Sequence, residues 1–69
     1  MIEIFKTNVH NNKMANFIID FLQNELPNCK INFDLEDCDK ILRIEGDENV
    51  ILPITTLLKI HNFECEELE

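Results

Sequence analysis

The chain has 69 residues, of which 45% are hydrophobic, and its six basic and fourteen acidic side chains give a formal net charge of −8. This charge argues against nucleic acid, whose phosphates require a basic surface, and against an anionic membrane. The hydrophobic content is too high for a disordered chain, and every apolar run is far shorter than the roughly 20 residues of a membrane span. One small domain covering residues 1–69 is therefore expected.

The start of the chain and its cysteines indicate a cytoplasmic protein. Met1-Ile2-Glu3-Ile4 lacks the basic region and the cleavage signal of a secretory peptide. The three cysteines are odd in number, stand at positions 29, 38 and 65, and include no CxxC pair. This spacing predicts reduced thiols rather than a disulfide framework. The acidic charge is compatible with a basic protein partner or a cation, and it also keeps a small domain in solution.

The first part of the chain predicts a strand and then a helix. Side chains alternate over Ile2–Val9, and Phe5 and Val9 are assigned to the core side. The two asparagines in His10–Lys13 indicate a turn, and either of them can cap the following helix. Apolar residues then recur with helical spacing as far as the stop at Pro27-Asn28. This apolar stripe comprises Met14, Phe17, Ile18, Phe21, Leu22 and Leu26.

The middle of the chain predicts an antiparallel hairpin. Two alternating segments, Lys30–Glu36 and Ile41–Glu45, flank the short polar turn Asp37-Cys38-Asp39. A further turn follows at Gly46-Asp47-Glu48-Asn49. The side chains predicted to point inward from the two strands are Ile31, Phe33, Leu35, Leu42 and Ile44.

The last part predicts a second helix and a short strand. Val50–His61 has helical apolar spacing, and Pro53 fits the first turn, where a missing N–H costs least. Asn62 is expected to end the helix in a left-handed cap. Phe63–Glu66 predicts the fourth strand, and the acidic end 66–69 is expected to fray.

The predicted element order, β-α-β-β-α-β, favours one fold. Right-handed crossovers bring the strands into one sheet and place both helices on the same face. The expected architecture is an α+β, ferredoxin-like βαββαβ sandwich with a four-stranded antiparallel sheet in the order 4-1-3-2.

With these elements placed, the chain resembles the heavy-metal-associated domain family of small copper chaperones and metal-pumping ATPase modules. The resemblance spans about residues 4–63 and includes three local strings. They are Phe5-Lys6-Thr7-Asn8-Val9, Phe33-Asp34-Leu35-Glu36 and Lys40-Ile41-Leu42-Arg43-Ile44-Glu45-Gly46-Asp47. In that family a CxxC motif between the first strand and the first helix holds Cu(I) or Zn(II) through two thiolates. Here the two cysteine positions fall on Asn11 and Met14, so the metal residues of the family do not carry over.

A substitute metal site remains an alternative. Three connections share one end of the predicted sheet, and between them they carry His10, Met14, Cys38 and His61. Imidazole, thioether and thiolate ligands suit Cu(I), and His with Cys suits Zn(II). The simpler interpretation is two loop histidines, a core methionine and a turn cysteine.

The outer face of the sheet provides the other candidate site. Ile2, Ile4 and Ile41 are predicted to face away from both helices, beside Arg43. A contiguous exposed apolar patch suggests a partner surface. No catalytic set such as Ser/His/Asp is visible in the sequence, so an enzyme is not expected. The favoured hypothesis is a non-catalytic module that has lost its metal cysteines and binds a protein partner or its own copy; the alternative is a Cu(I) or Zn carrier.

Overall fold

The computed structural model describes residues 1–46 and 51–68, and at residues 51 and 52 it describes the backbone alone. Its four strands form one antiparallel sheet in the order β2-β3-β1-β4, with two helices on one face. This confirms the predicted α+β ferredoxin-like βαββαβ sandwich, because this order is 4-1-3-2 read from the other edge. The elements are β1 (Ile2–Thr7), α1 (Asn12–Glu25), β2 (Lys30–Asp34), β3 (Ile41–Glu45), α2 (Ile51–Ile60) and β4 (Cys65–Leu68).

The core lies between the sheet and the two helices. The central strands β1 and β3 direct alternate side chains inward, as their period-two patterns predict. No helix within residues 1–46 and 51–68 is long and apolar enough to cross a membrane. The buried apolar side chains are Phe5, Val9, Ala15, Ile18, Leu22, Ile31, Leu42, Ile44, Ile54 and Leu58.

Helix α1 begins two residues earlier than predicted, because Asn11 is its N-cap. The Asn11 carboxamide oxygen accepts a hydrogen bond from the Met14 backbone N–H at 2.9 Å. The prediction that Phe17 belongs to the buried stripe was wrong, because its side chain is 52% exposed. Ala15, which lies near the direction of Ile18 on the helix, occupies the buried face instead.

Helix α2 ends at the left-handed cap that was predicted at Asn62. The φ angle of Asn62 is 66°, and its N–H donates to the Lys59 carbonyl at 3.0 Å. The Phe63 N–H donates to the Leu58 carbonyl at 2.9 Å. These two bonds form a Schellman motif, which satisfies carbonyls left open at the helix end.

Strand β4 lies two residues later than predicted. The Schellman motif occupies Asn62 and Phe63, and the Glu64 N–H bonds to the Asn8 side chain, so pairing with β1 begins only at Cys65. Residues 66–68 of the acidic end are consequently paired with β1 rather than frayed.

Strand β2 ends two residues earlier than predicted, at Asp34. The Asp34 carboxylate accepts hydrogen bonds from the backbone N–H groups of Glu36 and Asp37 in the following turn. Of the predicted turn at residues 46–49, only Gly46 lies within the described residues, and positions 50 and 69 lie outside them as well.

Candidate functional site

Three connections meet at one end of the sheet, as predicted, and Thr7 and Asn8 join them. The Thr7 hydroxyl donates to the Lys40 carbonyl at 2.6 Å, and its backbone N–H donates to the Asp39 carbonyl at 3.1 Å. The Asn8 side-chain oxygen accepts from the Glu64 N–H at 2.9 Å. The loop after β1 is thereby bonded to both the β2–β3 turn and the α2–β4 connection. Sequence analysis assigned neither residue this role.

The loop side chains proposed as metal ligands have separate environments at this end. His10 is exposed, and Cys38 is exposed on the β2–β3 turn. Met14 is half-buried and packs against the core, as its place in the apolar stripe predicted. The Asn11 cap accepts from the Met14 backbone N–H, so Asn11 and Met14 both lie at the start of helix α1.

His61 lies between the two helices, in contact with aromatic rings. Its ring centroid is 4.3 Å from that of Phe21 and 5.8 Å from that of Phe17, and both contacts are edge-on. Such arrangements are favourable for aromatic pairs. The half-buried imidazole therefore has a packing role that its sequence position alone did not reveal.

Among the described residues, the cluster of His, Cys, Asp or Glu ligand atoms that the structure shows contains neither predicted histidine. In the part of the chain that the structure describes, one such cluster has at least three His, Cys, Asp or Glu residues, and it consists of Asp37, Cys38 and Asp39. Its carboxylates have local roles: Asp37 accepts from the Asp39 N–H at 2.8 Å, and Asp39 lies 3.8 Å from the Lys6 ammonium. Exposed acidic turns with such bonds are ordinary features of a hairpin.

The other two cysteines are half-buried free thiols. Burial raises the pKa of the Cys65 thiol from 9.0 to about 12, so this residue is protonated at neutral pH. A protonated thiol is neither a good nucleophile nor a metal ligand. Cys29 packs beside Gly46, where a Cβ in place of the glycine hydrogen would lie only 2.7 Å from its sulfur. Both thiols therefore pack against the core.

The outer sheet face brings the predicted isoleucines together around Ile4. Ile4 pairs with Leu68 on one side and with Arg43 on the other, while Ile41 lies diagonally across from it, opposite Lys6. Ile2 is 50% exposed and Ile4 is 37% exposed. Leu68 extends the patch, and the sequence analysis missed it because it treated the acidic end as frayed. Alternation along the strand was the available signal, since Glu66 and Leu68 are two residues apart.

The charges on this face are balanced, in contrast to those of the whole chain. The outer face carries half of the six basic residues of the chain, together with an equal number of carboxylates. Its formal charge is therefore zero, whereas the chain carries −8. The basic residues are Lys6, Lys30 and Arg43, and the acidic ones are Asp34, Glu45 and Glu66.

Scans of this chain against protein-family models, curated proteins and solved structures gave no significant match.

Proposed function

We propose that this domain is a non-catalytic protein-interaction module whose outer sheet face packs against the same face of a second copy. The observation that carries the proposal is the composition of this face. It combines exposed Ile2 and Ile4 with balanced charge, on a chain that is otherwise strongly acidic. Two copies repel each other least where neither contributes net charge, so a neutral apolar face favours the chain's own copy.

The positions of the charges support a twofold arrangement. In a face-to-face pair the twofold axis lies between the two sheets and is perpendicular to their strands. Rotation about this axis reverses the direction of each strand and places the strand over the same strand of the other copy. Lys30 and Asp34 lie at opposite ends of β2, so each comes to lie over the other residue of the second copy. Ile4 meets its own copy close to the axis. Arg43 also lies over Arg43 of the other copy near the axis, and the two guanidinium groups repel each other. Glu45, two residues along the same strand, offsets this repulsion.

The size of the face sets the expected strength. Four strands spaced about 4.8 Å apart, each with an extent of roughly 17 Å, form a small face. Two such faces bury an area near the lower end of specific interfaces, about 1,200 Å² in total. We therefore expect a reversible dimer with a dissociation constant in the micromolar range.

Sedimentation equilibrium of the full chain and of Ile4→Lys tests the proposal. The substitution places a charge at the centre of the face and is expected to weaken dimerisation by at least about tenfold, because it buries an unpaired ammonium in the interface. Ile60→Lys is the matched control, since Ile60 is an exposed isoleucine on α2, 67% exposed, and lies away from the sheet face. A wild-type chain that stays monomeric, or an Ile4→Lys chain that dimerises like the control, contradicts the proposal.

We also propose that the scaffold is that of a heavy-metal-associated domain without its thiol pair. The βαββαβ order and the position of Asn11 and Met14 at the β1–α1 junction support this relationship. Asn11→Cys/Met14→Cys is then expected to bind Cu(I) more tightly than the wild-type chain in a competitive titration with a chelator, because it restores two adjacent thiolates. Asn12→Cys/Met14→Cys provides a control with altered spacing, and equal affinities of the two double variants would refute the proposed relationship.

The three free cysteines support a reducing, cytoplasmic location for the module. In this proposal the domain contributes binding rather than chemistry. Its most buried thiol is held in the protonated form, and its imidazoles lie in an exposed loop and in an aromatic contact.

A further inference from the structure

Strand β2 forms one edge of the sheet, and its sequence is chemically self-complementary. Within residues 1–46 and 51–68, β2 pairs with β3 alone, so the backbone groups on its other side form an open edge. Its five residues, Lys30-Ile31-Asn32-Phe33-Asp34, run basic, apolar, polar, apolar and acidic. Reversal of the strand exchanges the basic end with the acidic end and one apolar residue with the other.

An antiparallel pair of β2 strands centred on Asn32 matches every side chain. Lys30 of each copy lies opposite Asp34 of the other on the outer face, and Ile31 lies opposite Phe33 on the helix side. Opposite charges and apolar pairs directly across two strands are both stabilising. Asn32 meets its own copy at the twofold axis.

A groove beside this edge provides a second, independent observation. It has a volume of about 360 Å³ and lies between α1 and β2. Its apolar lining comes from Ala15 and Ile19 on α1 and from the half-buried Phe33 and Leu35. Ile31 of a second copy, paired opposite Phe33, lies beside the open side of this groove. The remaining lining residues are polar or acidic: Asn12, Asn16, Asn32, Asp34 and Glu36.

The other edge of the sheet lacks this complementarity. Strand β4 reads Cys65-Glu66-Glu67-Leu68. Directly opposite side chains share a face, so a symmetric antiparallel pair of β4 strands must be centred on a residue, and centring on Glu66 or on Glu67 sets that glutamate opposite its own copy. Like charges directly opposite one another are destabilising and are a common protection of edge strands. The two edges therefore differ, and β2 is the one that accepts a second copy.

We propose that two copies of this chain join through their β2 edges and form one continuous eight-stranded sheet. This interface is formed by the β2 backbone edge and does not depend on face-to-face packing, although its Lys30–Asp34 pairs lie at the margin of the outer face. It leaves the outer face uncovered and doubles its width. The partner recognised at the edge is a second copy of the chain. When its β2 runs antiparallel, it places an acidic residue opposite Lys30, an apolar residue opposite Ile31 and a polar residue opposite Asn32.

Disulfide trapping tests this geometry directly. Residues directly opposite one another in an antiparallel pair have Cα atoms about 4.5–5.5 Å apart, which lies within the range of a disulfide, whereas stacked sheets are about 10 Å apart. Asn32→Cys, in a Cys38→Ser background that removes the exposed native thiol, is expected to form covalent dimers under mild oxidation. Asn24→Cys in the same background is the control, since Asn24 is an exposed asparagine on α1. We expect trapping at least about tenfold faster for Asn32→Cys, because pairing raises the effective concentration of the two thiols.

Amide hydrogen exchange of the unmodified chain gives a second readout. Edge pairing adds backbone hydrogen bonds to β2, so its exchange slows as the protein concentration rises, whereas β4 exchange stays constant. Trapping that is no faster than in the Asn24→Cys control, or β2 exchange that is independent of concentration, overturns the proposal. Ile4→Lys separates the two interfaces, because loss of face packing leaves the trapping of Asn32→Cys unchanged.

Discussion

The Asn11 side-chain oxygen accepts a hydrogen bond of 2.9 Å from the Met14 backbone N–H at the junction between β1 and α1. Asn11 adopts the extended backbone of a helix cap, with φ −144° and ψ 163°. Its carbonyl also accepts from the Ala15 N–H at 3.0 Å. Asn11 therefore supports the start of helix α1 with both its side chain and its backbone carbonyl.

Removal of this cap is expected to destabilise the domain measurably. Asn11→Ala leaves a first-turn N–H without its side-chain acceptor and should lower the free energy of unfolding by about 1 kcal/mol. Urea denaturation at a fixed protein concentration measures the loss. Asn12→Ala is the control, because Asn12 is exposed and occupies the first helical position, where the side chain is not the cap. Equal stability of Asn11→Ala and wild type would show that the bond contributes nothing.

The sequence predicted the elements well where local periodicity and packing agree. Strand β3 has the predicted bounds, since the buried Leu42 and Ile44 alternate with residues of the outer face. The left-handed Asn62 was also predictable from local chemistry. The predicted position of strand β4 was wrong because the backbone N–H groups before Cys65 make other hydrogen bonds. The Phe63 N–H belongs to the Schellman motif of α2, and the Glu64 N–H donates to the Asn8 side chain. The Asn8–Glu64 bond joins residues that are 56 positions apart and so has no local signature.

The candidate site was predictable only as a set of loops. Topology placed the three connections at one end of the sheet, and the bonds of Thr7 confirm that. Which side chains meet within that end depends on tertiary packing. His61 lies against Phe21, forty positions earlier in the chain, and this contact directs the imidazole towards α1. The outer face was better predicted, because the period of two fixes which side of a strand a residue occupies.

The buried hydroxyl of Thr7 is expected to stabilise the end of the sheet. It donates to the Lys40 carbonyl at 2.6 Å and accepts from the Val9 N–H at 3.2 Å. Thr7→Val keeps the shape and leaves both groups unpaired, so we expect a loss of about 1–3 kcal/mol in the free energy of unfolding. Thr7→Ser retains the hydroxyl and should recover part of that loss. Urea denaturation distinguishes the two, and a Thr7→Val chain more stable than Thr7→Ser would contradict the role of the hydroxyl.

The role of Gly46 is to leave space for a neighbouring side chain. A left-handed backbone does not explain the glycine, because its φ angle is not positive. A Cβ at this position would lie 2.7 Å from the Cys29 sulfur, a distance at which one of the two groups must move. The sulfur is the far end of a half-buried side chain and can move aside, so Gly46→Ala is expected to cost about 1 kcal/mol in the free energy of unfolding, the scale of an off-rotamer side chain. The Cys29→Ala background removes the sulfur and leaves ordinary contact at 3.6 Å to the Cys29 Cβ, so the same change should cost less there. A double-mutant cycle measures the difference, and additive effects would exclude the clash.

The buried thiol of Cys65 predicts a loss of stability in alkaline solution. Burial raises the pKa of this thiol from 9.0 to about 12 in the folded chain, so between these values the unfolded chain releases a proton that the folded chain keeps. The free energy of unfolding therefore decreases as the pH rises above 9.0, and at lower pH both states hold the proton and the effect vanishes. Cys65→Ala removes the buried thiol and is expected to make this decrease shallower. Urea denaturation across this alkaline range compares the slopes, and identical slopes for wild type and Cys65→Ala would show that desolvation of this thiol has no part in the pH dependence.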